Sequence, residues 1–255
     1  MNLQVLLSLM YLNKEDLDKM NITSKCVVIN QCYDNGCEKY NNFDIYSYTE
    51  RGAANSRNRG LEHATEDIIL LCDDDVVYDE GYEQKIINEF KNNPEADMII
   101  FNMYSPNRKK RKIKKNKRLH MYNSLHYASC NIAFRRGSIK NKKIEFNALF
   151  GPGAKYSSGE DTLFIVSTLK NKLKIYSCTE NLGTVYHKES TWFKGYTEEY
   201  FYNKGALFSA ISKKYKKILM IQFLLRHKDY LKDMSFFKAF KCMKNGSKDY
   251  IKNTK

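Results

Sequence analysis

The sequence predicts an α/β fold with a mostly parallel central sheet, and three observations support this prediction. Apolar runs of strand length recur along the first half of the chain. Stretches with helical spacing of apolar residues lie between them, and such alternation indicates a parallel sheet covered on both faces. The third observation is the acidic run Asp73-Asp74-Asp75 directly after an apolar run. Ligand sites in such sheets lie just beyond the carboxyl ends of the strands.

The elements of the first half follow in order and show no internal repeat. The apolar runs predict strands over residues 5–10, 26–29, 44–48, 68–72 and 98–101. Helical spacing predicts helices over residues 53–64 and 82–90. Asp79 or Glu80 stands where it could cap the second helix, and Pro94 lies just beyond its end.

The second half continues with shorter elements. We predict a strand over residues 127–134, a Gly-rich loop over 150–153, a helix from about Gly159, and short strands over 173–177 and 183–187. From Tyr196 onward the pattern is helical and basic. We therefore expect a main domain over residues 1–195, flanking helices around its sheet, and a basic helical extension over residues 196–255.

The net charge of +14 is concentrated in two segments. Residues 108–118 carry nine bases and no acid, and residues 201–255 carry fourteen Lys or Arg against three acids. The rest of the chain is therefore mildly acidic. We expect residues 108–118 to be flexible. The basic segments 108–118 and 204–255 suit an anionic membrane surface, and nucleic-acid binding is a weaker alternative because no known binding module is visible.

The chain ends and the cysteines predict a cytoplasmic protein. The N-terminus lacks a basic region followed by a cleavage site, and the apolar run 218–225 is far shorter than the roughly 20 residues that cross a bilayer. Seven cysteines without a Cys-x-x-Cys pair indicate reduced thiols. Leu207, Ile211, Tyr215, Ile218 and Leu219 fall near one helical face among lysines. This face suits either an interfacial helix or a helix packed on the main domain.

Asp73-Asp74-Asp75 predicts a metal site. Three crowded carboxylates repel one another unless a cation lies among them, and Mg²⁺ and Mn²⁺ prefer such oxygen ligands. An acidic turn that caps the next helix is the structural alternative.

A second candidate site is formed by Glu160 and Asp161, which open a predicted helix after the Gly-rich loop. The helix dipole stabilises ionised carboxylates there, which suits ordinary capping and also a general base. His187 closes a short predicted strand and could be a metal ligand, a hydrogen-bond donor to a diphosphate, or a packed or capping residue. Trp192 is the only Trp and could be a platform for a sugar ring or part of the core.

Taken together, these motifs resemble family 2 glycosyltransferases of the GT-A fold. The resemblance covers roughly residues 1–195. The motifs that carry it, in order, are residues 50–58 opening a helix, Asp73-Asp74-Asp75 after a strand, Phe150-Gly151-Pro152-Gly153 followed by Gly159-Glu160-Asp161, and His187-Lys188-Glu189-Ser190-Thr191. Their order and spacing are more specific than any one of them.

The resemblance implies a role for each matching residue. Asp73 and Asp75 look like the outer acids of the family's DxD motif, so that Asp75, with Asp73 and His187, would hold Mn²⁺ or Mg²⁺, and Asp74 would lie near the ribose. Asp161 matches the base that deprotonates the acceptor hydroxyl.

Further matches concern the two substrates. Ser8 and Gln31 match contacts to the nucleotide base, and Arg57 matches a donor-side Arg. Glu160 and Trp192 would contact the acceptor. Gln31 replaces the acid usual at its position, and Leu9-Met10 replaces a common first loop.

The implied reaction is an inverting, metal-dependent transfer from a nucleotide-sugar donor, with UDP as the expected nucleotide. The acceptor would be a hydroxyl of a glycan or a lipid-linked molecule in surface polysaccharide assembly, at the inner face of the cell membrane. The basic segment 108–118 and the loop before Glu160 are candidates for a lid that orders on donor binding. A nucleotidyltransferase is a rival, but the expected Gly-rich phosphate loop near the N-terminus is missing. A binding protein without transferase activity is another.

Overall fold

The structure is a computed structural model that describes residues 1–106, 112–127, 129–186, 193, 195–232 and 234–254. Its strands are β1 (Leu3–Met10), β2 (Lys25–Gln31), β3 (Gly36–Tyr40), β4 (Phe43–Tyr48), β5 (Ile68–Asp73), β6 (Val76–Tyr78), β7 (Met98–Tyr104), β8 (Lys117–Leu119), β9 (Ile132–Arg135) and β10 (Ile175–Val185). Its α-helices are α1 (Lys14–Asp18), α2 (Ala53–His63), α3 (Tyr82–Asn92), α4 (Arg136–Asn141), α5 (Glu160–Lys170), α6 (Glu198–Ile211), α7 (Lys216–Arg226) and α8 (Phe236–Asn253).

One ten-stranded sheet organises the chain, in the order β3-β4-β2-β1-β5-β9-β7-β10-β6, with β8 also pairing with β10. Strands β4, β2, β1 and β5 are mutually parallel, and so are β7 and β10. The predicted α/β fold is confirmed, with antiparallel strands added: β9 runs between β5 and β7, and β3 pairs with β4. The parallel block brings the carboxyl ends of β1, β2 and β5 to one edge, where the register pairs Ser8 with Asp73.

The central strands are buried on both faces, which is why their apolar runs are uninterrupted. Leu7 lies in a core cluster that includes Phe90 of α3. Its neighbour Leu6 lies in a second cluster with Ala54 of α2 and Phe164 of α5. Helices therefore cover both sides of the parallel block and fix its edge.

Three local predictions differ from the structure. The region predicted as a strand over 127–134 begins β9 only at Ile132, after a 3-10 turn, and the two short strands over 173–187 form one strand, β10, with register shifts. Neither Asp79 nor Glu80 caps α3, which begins after Gly81. The Asp79 carboxylate instead accepts a hydrogen bond from the amide of Asn181 at 3.0 Å, so a cross-strand partner competes with the cap.

The basic segment is tied to the sheet along its second half, and the flexibility expected of the segment stays a prediction. Ile113 is buried, and the side-chain amide of Asn102 bonds both its N–H (2.8 Å) and its carbonyl (3.1 Å). Strand β8 then pairs antiparallel with β10. Residues 108–111 of the segment lie outside the described residues, and the lid stays a prediction.

The C-terminal helices share a third core cluster with Phe150 and Tyr156 of the Gly-rich loop region. Helices α6 and α8 approach closely at Gly205 and Gly246, where an added Cβ would lie 1.9 Å from a backbone oxygen of the other helix. The predicted single face is split by a break at Ser212, because α6 buries Leu207 and Ile211 whereas Tyr215 and Ile218 are exposed. In the part of the chain that the structure describes, no helix is both long and apolar enough to span a membrane.

Candidate active site

The candidate site lies at the carboxyl edge of the parallel block, where two helices begin. Helix α2 starts after Gly52 and α5 starts after Gly159, and both glycines have positive φ values, 110° and 120°. Side chains seldom tolerate this region, so glycine lets each chain turn sharply from a loop into its helix. The turns bring Arg57 of α2 and Glu160 and Asp161 of α5 against Asp73, the last residue of β5.

Arg57 is the centre of this site. Its guanidinium is 6% exposed and donates to three carboxylates: Asp161 Oδ1 at 2.8 Å, Glu160 Oε1 at 3.0 Å and Asp73 Oδ1 at 3.0 Å. The ring of Phe146 lies under it, with 5.5 Å between the guanidinium carbon and the ring centroid. A protein cation thus lies among these three carboxylates, of which Asp73 also belongs to the predicted metal site.

Ser129 closes the network and was missed by the sequence analysis. Its Oγ accepts from Arg57 at 2.8 Å and donates to Asp73 Oδ2 at 2.9 Å, while its backbone N–H donates to Asp161 Oδ2 at 3.1 Å. It lies on the 3-10 turn before β9, which the antiparallel insertion of β9 carries to this edge. A single serine in an apolar stretch carries no sequence signal for such a role.

The electrostatics of the network distinguish Asp161. Burial and the neighbouring Glu160 raise its pKa to about 7, against the opposing effect of Arg57. Burial lowers the pKa of the Arg57 guanidinium, but the three carboxylates outweigh it and raise that pKa above its usual value. Arg57 stays charged, and Asp161 can exchange a proton near neutral pH.

Glu160 is placed differently from its neighbour. Its side chain is 8% exposed, and its second oxygen accepts from the backbone N–H of Gly159 at 3.0 Å. The acceptor contact expected of Glu160 stays a prediction. Lys204 of α6 lies near enough for Glu160 to raise its pKa, although burial lowers that pKa more.

Ser8 and Gln31 lie at the ends of β1 and β2, as the sequence predicts. The Ser8 hydroxyl is buried and has no hydrogen-bond partner among the described residues. The Gln31 amide oxygen accepts from the Gly52 N–H at 2.8 Å, so this side chain also positions the start of α2.

An exposed aromatic pair beside them was missed. Tyr11 follows β1 and Tyr33 follows β2, with ring centroids 5.2 Å apart and hydroxyls in a 3.2 Å hydrogen bond. The Arg51 guanidinium lies over both rings and bonds the Gln31 carbonyl at 2.7 Å. The sequence signal that could have found this pair is a tyrosine soon after each of two successive strands.

Asp74 and Asp75 form the turn between β5 and β6. Asp74 is exposed, Asp75 is half-buried, and the carbonyl of Asp75 accepts from the backbone N–H of Tyr186 at 2.7 Å. His187 and Trp192 lie outside the described residues. Within the part of the chain that the structure describes, no group of three or more His, Cys, Asp or Glu is placed to hold a metal. Asp73 and Asp75 supply oxygen donors of the kind that a hard cation prefers, and the metal site stays a prediction.

Fold and site together define an α/β protein with a cluster of carboxylates around a buried arginine at a sheet edge. The family model for glycosyl transferase family 2 matches residues 23–153, half of the chain, and the chain belongs to this family. The match includes Gln31, Arg57 and the Asp73–Asp75 turn and ends before α5. No curated protein sequence matches the chain.

Solved structures agree on the fold. The crystal structure of S. aureus TarS is similar, with a TM-score of 0.61 at 16% identity over 92% of this chain and 44% of that one. The structure of S. aureus TarS 1–349 in complex with UDP-GlcNAc gives 0.67 at 17% identity, over 99% of this chain and 81% of that one. The structure of S. aureus TarS 1–349 in complex with UDP has a TM-score of 0.61 at 17% identity, over 90% of this chain and 72% of that one. This chain therefore spans less than half of the longest TarS structure compared.

Proposed function

We propose that this protein transfers a sugar from a UDP-sugar to a hydroxyl group of a glycan or lipid-linked acceptor, by direct displacement with inversion. The observation that carries the proposal is Asp161, whose pKa of about 7 suits a general base and which Arg57 and Ser129 hold at the acidic sheet edge. Assembly of a surface polysaccharide is the process that such an acceptor fits.

The donor nucleotide is assigned to the ends of β1 and β2. The unpartnered Ser8 hydroxyl can bond a ligand there, and a flat base can stack on the exposed rings of Tyr11 or Tyr33. The binding of UDP-GlcNAc by S. aureus TarS, a protein of similar fold, supports UDP as the nucleotide and makes UDP-GlcNAc the first donor to test. Asp74 is assigned to the ribose.

Mn²⁺ or Mg²⁺ would be held by Asp75 with Asp73 and His187. When bound, the ion would neutralise the charge of the departing diphosphate. Arg57 holds Asp73 and Asp161 in place from within the protein. It remains assigned to the donor side. Asp161 takes the proton from the acceptor hydroxyl, while Glu160 and Trp192 remain assigned to the acceptor side.

The test is nucleotide binding followed by turnover. Thermal unfolding is measured with UDP, GDP, CMP and dTDP, each with Mn²⁺ and with a chelator, because a ligand of the native state raises its melting temperature. We expect a metal-dependent shift with UDP, and release of UDP from UDP-GlcNAc when an acceptor glycan is present. A folded protein that shifts with none of these nucleotides would contradict the proposal.

A further inference from the structure

Helix α7 has two apolar faces, and within the described part of the chain only one of them is packed. Met220 and Leu224 are buried in the C-terminal core cluster. Ile218, Ile221 and Leu225 lie on the other side, with exposed fractions of 63%, 42% and 55%. Their spacing of three and four residues places them in one stripe along the helix. An aliphatic stripe of this length in water indicates a surface that another phase or molecule covers.

Basic side chains surround this stripe. Residues 212–228 carry six Lys or Arg and no acid. Lys213, Lys214 and Lys217 are exposed before and along the first turn, and Arg226 is exposed at the helix end. Long basic side chains beside aliphatic ones can reach phosphate groups while the aliphatic groups enter an apolar layer.

We propose that α7 docks this protein on the surface of an anionic phospholipid bilayer. The stripe of Ile218, Ile221 and Leu225 would enter the boundary between headgroups and acyl chains, and the flanking lysines would bind lipid phosphates. Each basic residue near an anionic membrane adds about a fivefold gain in affinity, since its contribution of about 1 kcal/mol converts to that factor. The inference stands on the exposed face alone and does not depend on the transfer reaction.

Other occupants fit this face less well. A second copy of the chain that paired through the same face would bring two lysine clusters together, and this repulsion opposes a symmetric dimer. A nucleic acid would match the lysines, but an aliphatic stripe offers no flat ring for base stacking.

The other basic segment, residues 108–118, is connected to the same core as α7. Lys114, Lys115 and Lys117 are exposed where the chain enters and begins β8. Met121, shortly after β8, packs against the core cluster that also holds α7. Packing therefore connects the end of this segment to the core that α7 also joins.

The experiment measures binding of the full chain to vesicles by flotation, without donor or acceptor. Vesicles of pure phosphatidylcholine are compared with vesicles that contain phosphatidylglycerol. We expect binding to the anionic vesicles only. The triple variant Ile218→Ser/Ile221→Ser/Leu225→Ser should weaken it at least tenfold, and Lys213→Gln/Lys214→Gln/Lys216→Gln/Lys217→Gln should weaken it about 100-fold or more.

A matched variant removes the same charge elsewhere. This control replaces four exposed lysines that are distant from α7 in sequence, in the variant Lys91→Gln/Lys140→Gln/Lys142→Gln/Lys170→Gln. It should retain most of the binding, and unchanged melting temperatures show that all variants fold. Wild-type protein that stays off anionic vesicles overturns the proposal, and so do α7 variants that bind as wild type. A shift of the triple variant from dimer to monomer in light scattering, with normal vesicle binding, would assign the face to a second copy.

Discussion

The Arg57 guanidinium donates to the Asp161 carboxylate across 2.8 Å, although 104 positions separate the two residues in the chain. The same buried cation also bonds Asp73 and Glu160. It joins the end of β5 to the starts of α2 and α5, so one side chain couples the stability of this edge to the protonation of the proposed base.

Removal of the Arg57 guanidinium should lower the free energy of unfolding substantially. Arg57→Met leaves three carboxylates without their partner, and breaking a buried ion pair from one side typically costs about 3–5 kcal/mol. We expect this loss in urea unfolding, and a larger loss at pH 8 than at pH 6, because more carboxylates are then ionised. Arg59→Met on the same helix is the control, since Arg59 is 40% exposed and its pairs with Glu50 and Glu62 are solvated. Equal effects of both variants would contradict the central role of Arg57.

Asp161→Asn should abolish sugar transfer while UDP binding stays within about twofold. The amide keeps the size of the side chain but cannot accept the acceptor proton. In the wild type, kcat should rise with pH and level off above an apparent pKa of about 7, because only the ionised carboxylate acts as the base. Calorimetric UDP binding and turnover across pH 5–9 measure both effects. A transfer rate of the variant equal to the wild type would remove Asp161 from this role.

The raised pKa of Asp161 also has a consequence for folding. An ordinary Asp has a pKa near 3.9, and burial raises that of Asp161 to about 7. The folded state therefore holds a proton that the unfolded state releases between these values, so stability falls as pH rises from about 4 to about 7. The stability of the wild type relative to Asp161→Asn should fall by at most about 4 kcal/mol over this interval and then level off. A difference that stays flat over this interval, in urea unfolding, would contradict the raised pKa.

Ser8→Ala should weaken UDP binding without lowering the stability of the protein. The Ser8 hydroxyl is buried without a partner among the described residues, so its removal should leave the melting temperature unchanged or slightly higher. Loss of a ligand hydrogen bond should weaken UDP binding roughly 5- to 10-fold. Ser56→Ala is the matched control, because Ser56 Oγ is also buried without a partner in the described structure but is not assigned to the donor. Equal UDP affinity of Ser8→Ala and wild type would place the nucleotide elsewhere.

Gly205→Ala tests the close contact between α6 and α8. An added Cβ would lie 1.9 Å from the Met243 carbonyl oxygen, so the helices must separate. We expect a loss of about 3 kcal/mol or more in unfolding free energy. Gly137→Ala in α4 meets no atom within 4 Å and should stabilise the protein by up to about 1 kcal/mol. Similar stabilities of the two variants would show that α6 and α8 do not pack as described.

The sequence determined the elements with strong local signals. The apolar run that ends at Asp73 is strand β5, and the helix predicted near Gly159 is α5. Continuous apolar runs in buried strands and helical spacing are properties of neighbouring residues, so they are visible without contacts. The resemblance of motifs in order predicted the family, which the family model confirms.

Tertiary structure decided how the acidic edge is neutralised. The sequence indicated that Asp73 needs a nearby cation, but only folding brings Arg57, Glu160 and Asp161 to it. Ser129 reaches the same place because β9 inserts antiparallel between β5 and β7. Contacts between residues far apart in the chain depend on strand order and on helix packing. Local spacing does not encode either, and for this reason the network around Arg57 could be found only in the fold.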